Sequence, residues 1–145
     1  KASIDWLRQA LETRDQLLRI TVVGFCFGGH AALLAATLAE VHVSLDFYGA
    51  GVSRGRPGGG VPSLELLPSV KGELHCLCAS IDPLIPSADQ QAIQAALQEK
   101  DPKGLRLRYS AFEGADHGFM CEARDHYHQA SAQEGWRLLL EASQS

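Results

Sequence analysis

The sequence predicts an α/β fold, a mostly parallel sheet with helices on its faces. Two observations carry this. Short β-branched or alternating runs take turns with longer stretches of helical composition, and such alternation means parallel strands joined by crossovers. The run from Ile20 to Leu38, free of Asp, Glu, Lys and Arg, changes character midway, from β-branched residues to Ala and Leu, around three glycines and one cysteine. With 145 residues, 46% of them apolar, the chain is long enough for one domain with a real core, spanning residues 1–145.

Each element follows from local sequence. Residues 3–14 read as an amphipathic helix with Ile4, Leu7, Ala10 and Leu11 on one face. Ile20-Thr21-Val22-Val23 is a strand expected to be covered on both faces, and the helix after it runs from about His30 to Leu38. Val41 to Tyr48 alternates and breaks at Gly49, as a second strand does. The Gly- and Pro-rich stretch from Gly51 to Pro68 is expected to be a loop. Leu74 to Ala79 is a third strand, ending at Ser80-Ile81-Asp82-Pro83. Ser87 with Gln90 forms a capping-box pattern, opening a helix to about Glu99 that buries Ala92, Ile93, Ala96 and Leu97. Leu105 to Tyr109 alternates and fits an edge strand, residues 114–124 form a loop, and Ser131 with Glu134 starts a last helix carrying Trp136, Leu139 and Leu140.

Composition excludes several classes. A net charge of −4 without any Lys/Arg run argues against nucleic acid as a partner. The uncharged run is long enough to span a bilayer, but its change of composition and its glycines make it a buried strand and helix, so no membrane contact is expected. The start, Lys1-Ala2-Ser3-Ile4-Asp5-Trp6, lacks the apolar core of a signal peptide, and without an initiator Met the chain is not expected to begin where its gene begins. The cysteines Cys26, Cys76, Cys78 and Cys121 make no CxxC pair, and neither they nor His126 and His128 have a usual zinc spacing. Free thiols in a reducing cytoplasm, with no metal, are expected.

The chemistry centres on Gly24-Phe25-Cys26-Phe27-Gly28-Gly29. Glycines two before and two after a cysteine, between a strand and a helix, match the nucleophile-elbow pattern with Cys in place of Ser. The turn is so sharp that flanking side chains would collide, and it lifts Cys26 to the N-terminus of the helix, where unpaired N–H groups favour an anion. In a parallel sheet, active residues gather at the carboxyl ends of the strands. Asp82 stands after the third strand and His117 after the fourth. Nucleophile, acid and histidine thus follow in the chain order of α/β-hydrolases. In that arrangement Cys26 attacks a carbonyl carbon, His117 moves the proton, and Asp82 orients the imidazole. Tyr48, also at a strand end, is expected to line the site.

Gly24-Phe25-Cys26-Phe27-Gly28-Gly29, Phe47-Tyr48-Gly49, Asp82-Pro83-Leu84-Ile85-Pro86 and Gly114-Ala115-Asp116-His117-Gly118-Phe119 together resemble the dienelactone hydrolase family over nearly the whole chain. The resemblance implies an α/β-hydrolase fold, a Cys26-Asp82-His117 triad, the Phe27 N–H in the oxyanion hole, and hydrolysis of small esters or lactones without a cofactor. The chain departs from the family in carrying Ala79-Ser80 where many members have Gly before the acid. Cys121 stands where the prototypes carry an Arg after the histidine, with Arg124 further on. In the family's fold the nucleophile follows the fifth strand, yet here it follows the first. The chain therefore reads as the C-terminal part of such a domain, with its N-terminal strands and the second oxyanion donor missing. Self-association, or pairing with a missing N-terminal segment, is the expected consequence. Two other readings are an inactive remnant acting by association and a thiol-based redox protein.

Overall fold

The computed structural model describes residues 1–11 and 19–144. Among them, four strands form one parallel sheet in the order β1-β2-β3-β4: β1 is Thr21–Phe25, β2 Val43–Phe47, β3 Glu73–Ala79 and β4 Leu107–Phe112. The helices are α1 (Ala2–Leu11), α2 (Phe27–Ala35), α3 (Ser87–Lys100) and α4 (Gln129–Gln144). The expected end of α1 at Arg14 lies outside the described residues. Of its expected buried face, Ile4 is buried, while Leu7 and Ala10 are exposed. No helix among the described residues is long and apolar enough to cross a membrane.

Side chains alternate across the sheet, so each face collects one set. Ser44, Asp46, Cys76 and Tyr109 fall on the side of α2 and α3: Ser44 Oγ donates to Ala32 O at 2.6 Å and Tyr109 Oη to Gln90 Oε1 at 3.1 Å. Phe47 faces α4, which packs so closely that a Cβ on Gly135 would lie 3.0 Å from the Phe47 ring. Phe47, Leu45, Leu77 and Phe119 are almost wholly removed from water.

Several expectations are corrected. The expected loop contains a 3₁₀ helix, Ser63–Ser69, which provides the crossover between β2 and β3. His30 Nε2 meets Ser63 Oγ at 2.6 Å and pins it to α2. The capping box of α3 does not form. Pro86 is the N-cap, and the buried Gln90 side chain instead donates to Ala79 O (3.0 Å) and Ile85 O (2.8 Å). Ala92 is exposed and Ala96 half-buried. β4 begins two residues later than expected because Asp101 Oδ2 accepts the Arg106 and Leu107 amides (2.6 and 3.0 Å) and holds Leu105 outside the ladder. α4 starts at Gln129, ahead of Ser131, whose Oγ meets His128 Nδ1 at 2.7 Å, while Glu134 pairs with Arg137.

β1 meets one expectation and corrects another. Among the described residues it pairs with β2 alone, which is the open edge that the strand count predicts, but Val23 and Phe25, 40% and 36% exposed, show that it is not covered on both faces as its composition suggests. An apolar strand with one row of unpaired amides is a template for another strand.

The elbow glycines separate into two kinds. A Cβ on Gly24 would lie 1.8 Å from the Gly28 carbonyl oxygen, and one on Gly29 would lie 2.6 Å from Phe47 O, whereas a Cβ on Gly28 would meet nothing within 4 Å. Glycine is required at Gly24 and Gly29 and not at Gly28. We therefore expect Gly28→Ala to be neutral or to raise stability by up to ~1 kcal/mol, since helical Gly is costlier than Ala. Gly24→Ala should lower the melting temperature sharply or abolish folding. Thermal unfolding of the two variants checks this, and equal losses would contradict the elbow geometry.

Candidate active site

Cys26 links β1 to α2 in a conformation rare for a side-chain-bearing residue, φ 57° and ψ −123°. Its backbone is fixed from both sides. Its N–H donates to Phe47 O at 3.0 Å, and its C=O accepts from Gly29 and His30 at 2.9 and 3.2 Å, which starts the helix. The side chain is exposed at the mouth of a cavity. Phe27 is the first residue of α2, so its N–H is one of the donors that a helix leaves unpaired.

Asp82 and His117 come from neighbouring turns that are bonded to each other. Ser80 N donates to Phe112 O (3.0 Å), Ile81 N to Ala115 O (3.1 Å) and Gly114 N to Ser80 Oγ (2.9 Å). The Ser80 hydroxyl, at the position where the sequence departs from the family pattern, is thus part of the scaffold. Asp82 is buried, and its two oxygens have separate partners: Oδ1 accepts the Leu84 amide and Oδ2 meets His117 Nδ1, both at 2.8 Å. A carboxylate there accepts from Nδ1–H, which leaves Nε2 as the acceptor. Among the described residues, His117 Nε2 is the one buried side-chain nitrogen or oxygen without a partner.

Tyr48 also has a positive φ, 43°, and packs edge-on against His117 with ring centroids 5.1 Å apart. Burial above all, then the Cys121 and Cys26 thiols, pushes its phenol up to about 12, so the hydroxyl remains a donor.

The cavity holds about 400 Å³ and is lined by Cys26, Tyr48 and His117 together with Phe25, Gly118, Met120, Cys121, Arg124 and Trp136. The structure therefore gathers Cys26, Tyr48 and His117 at one cavity, puts Asp82 behind the imidazole, and sets Phe27 beside the thiol. Trp136 was expected only as part of a helix face, and no local pattern marks Met120. Arg124 places a fixed positive charge on the wall. Among the described residues, no three His, Cys, Asp or Glu side chains cluster as a metal site would need.

The family model that matches this sequence, over residues 1–144, is that of the dienelactone hydrolase family. The chain belongs to this family. A putative carboxymethylenebutenolidase of Synechocystis sp. is 33% identical over 126 residues, covering 87% of this chain and 50% of that protein. A probable 2-oxo-3-(5-oxofuran-2-ylidene)propanoate lactonase of Bradyrhizobium sp. is 29% identical over 140 residues, covering 96% of this chain and 54% of the other. The chain thus spans about half the length of the curated relatives it matches. Among solved structures, a putative dienelactone hydrolase from Klebsiella pneumoniae superposes with a TM-score of 0.82 at 21% identity, over 99% of this chain and 60% of that one, and shares its α/β-hydrolase fold.

Two buried titratable groups support this dienelactone hydrolase scaffold, and neither has a sequence motif. Asp46 lies beneath the elbow, its Oδ1 accepting the Gly49 amide at 2.8 Å and lying 2.4 Å from where a Gly29 Cβ would be. Burial, only partly offset by that bond, raises its carboxyl to about 7. His75 Nε2 meets Ser110 Oγ at 2.8 Å, and burial, then Arg108, lowers its imidazole to about 4. The two act oppositely on stability. Between about pH 4 and 7 native Asp46 keeps a proton that the unfolded chain has released, so its contribution falls as pH rises. Between about pH 4 and 6.5 the unfolded chain protonates His75 and the native state does not, so that contribution rises with pH. Asp46→Asn keeps the acceptor for Gly49 and removes the titration. Its melting temperature relative to the parent should climb from pH 4 to 7 and then level. For His75→Gln the relative melting temperature should fall from pH 4 to 6.5. Differences that do not vary with pH would contradict both assignments.

Proposed function

We propose that this chain carries the working residues of a hydrolase for small carboxylic esters or lactones, with Cys26 as nucleophile, His117 as base and Asp82 as the orienting acid. One observation supports this above the others. The imidazole held by Asp82 keeps its Nε2 buried and unpaired at the cavity that Cys26 lines. A buried polar atom without a partner costs about 1–3 kcal/mol, and a proton on the thiol or the substrate would satisfy it.

In this reading Nε2 takes the Cys26 proton and the thiolate attacks the carbonyl carbon. The oxygen, now negative, sits over the N-terminus of α2, where the Phe27 N–H donates to it. Collapse of the intermediate expels the alcohol oxygen, which leaves with the proton from Nε2, and a thioester remains. Water then gives its proton to Nε2 and attacks the thioester, releasing the acid and restoring the thiol. Asp82 holds Nδ1–H throughout and stabilises the imidazolium. The protonated Tyr48 hydroxyl offers the substrate a donor. No step calls for a cofactor. The names of the relatives point to lactones as substrates, and a reducing cytoplasm suits the free thiols.

The same reading assigns a role to the edge of β1. In the whole protein a further strand, from a second copy or from an N-terminal segment, pairs with that edge and brings the second oxyanion donor. Without it the 145-residue chain should associate in light scattering and turn over esters about 10²–10³-fold slower than a complete homologue, the cost of one lost donor. A stable monomer with full rates would overturn this part.

The triad is tested in the active form with a chromogenic short-chain ester. Cys26→Ala and His117→Ala should each lose about 10⁴-fold or more in kcat, and the double variant should lose little beyond that, because the two act as a unit. Asp82→Asn should lose less than Cys26→Ala. Activity unchanged in His117→Ala would remove the assignment.

Thiol reactivity gives an independent check. In brief iodoacetamide treatment at pH 6.5, Cys26 should be alkylated before Cys121, while Cys76 and Cys78 stay unlabelled. Burial, then the charge of Asp46, raises both β3 thiols, Cys78 to about 12. Preferential labelling of Cys121 would move the nucleophile.

A further inference from the structure

The cavity holds two thiols, and hydrolysis uses one. Cys121 is half-exposed and lines the same cavity as Cys26, in the turn that follows His117. The Tyr48 hydroxyl lies within electrostatic reach of both. Cys121 follows the buried Phe119 and Met120, and its N–H donates to Gly118 O at 2.9 Å, so the turn holds the thiol at the cavity. Cys76 and Cys78 are sealed in β3 and raised by burial, so neither can reach Cys26 or attack it.

We infer that Cys26 and Cys121 form a peroxide-reactive pair, in which Cys121 resolves the oxidised nucleophile as an intramolecular disulfide. The Cys26 thiolate attacks the O–O bond of a hydroperoxide, giving a sulfenic acid and releasing the alkoxide or hydroxide, which takes up a proton. The Cys121 thiolate then attacks the Cys26 sulfur. An S–S bond forms and the hydroxyl leaves as water, with the proton that Cys121 gave up. Each cycle oxidises two thiols and reduces one peroxide. The disulfide blocks hydrolysis reversibly and shields Cys26 from over-oxidation to sulfinic acid. This rests on the reading of Cys26 as the reactive thiol, and it does not require that the substrate be an ester.

The test is hydrogen peroxide treatment followed by tryptic mapping without reductant. Cys26 lies in the peptide Ile20–Arg54, Cys121 in Tyr109–Arg124, and the β3 cysteines in Gly72–Lys100. The expected product is the first two peptides joined, two hydrogens lighter than their sum, and separated again by dithiothreitol. In Cys121→Ser, dimedone should trap the sulfenic acid at Cys26, and continued peroxide should give sulfinic acid that dithiothreitol does not recover. In Cys26→Ser, Cys121 should stay reduced at the same dose. Sulfinic acid at Cys26 forming equally fast in parent and Cys121→Ser, with no joined peptide, would overturn the inference. So would a disulfide linking only separate copies of the chain. Absence of ester hydrolysis in the reduced, untreated active form, with the joined peptide still forming after peroxide, would count against the proposed function and leave this inference standing.

Discussion

One hydrogen bond, from the Cys26 amide to the Phe47 carbonyl, holds the site together. A cysteine at φ 57° is strained and persists only where its surroundings leave it no other conformation. Pairing with β2 supplies that constraint from below, and the first turn of α2 supplies it from above. Glycine at Gly24 and Gly29 lets the three segments close to backbone contact. Phe47 is also where the faces of the site meet. Its ring stacks on Phe25 at 5.0 Å, lies beside Tyr48 at 6.4 Å and receives α4 through Gly135. The carbonyl that positions Cys26 therefore belongs to one of the best-buried side chains in the core.

The residues gathered at the cavity were legible in the sequence where the backbone demands particular residues. A cysteine between spaced glycines, an acid before Pro83 and a histidine before Gly118 each mark a strand end. Element types were legible for the same reason, since periodicity follows from which side is buried. Boundaries were less so. Ser87 with Gln90 has the letters of a capping box, but the burial of Gln90 took its amide to Ala79 and Ile85 instead. Leu105 continues the alternation of β4 and is left outside it by the Asp101 side chain 4 residues away in sequence. Local pattern does not encode such competition between partners.

Composition and strand count point different ways for β1. The composition of β1 is that of an interior strand, and by composition alone it is expected to be covered. Counting strands leads instead to an edge, and Val23 and Phe25 are indeed exposed there. Asp46 and His75 stayed invisible for a different reason. A buried carboxyl between two apolar neighbours reads as an ordinary polar position of an alternating strand until the helix above it is in place.

The two halves of the site differ in mechanical stiffness. Asp82 and His117 ride on turns tied together by three hydrogen bonds, on strands that are paired with each other. They form a rigid anvil. Cys26 rides on β1, two strands away from β3 and held by a single ladder. β4, which leads to His117, is the other edge of the sheet, but its following turn is bonded to the turn after β3, so excursions of β1 change the distance between sulfur and imidazole while the Asp82–His117 pair stays intact. The reactivity of the thiol is thereby geared to whatever lies along that edge. A strand docked there does more than cover apolar surface: it damps a compliant joint between Cys26 and His117.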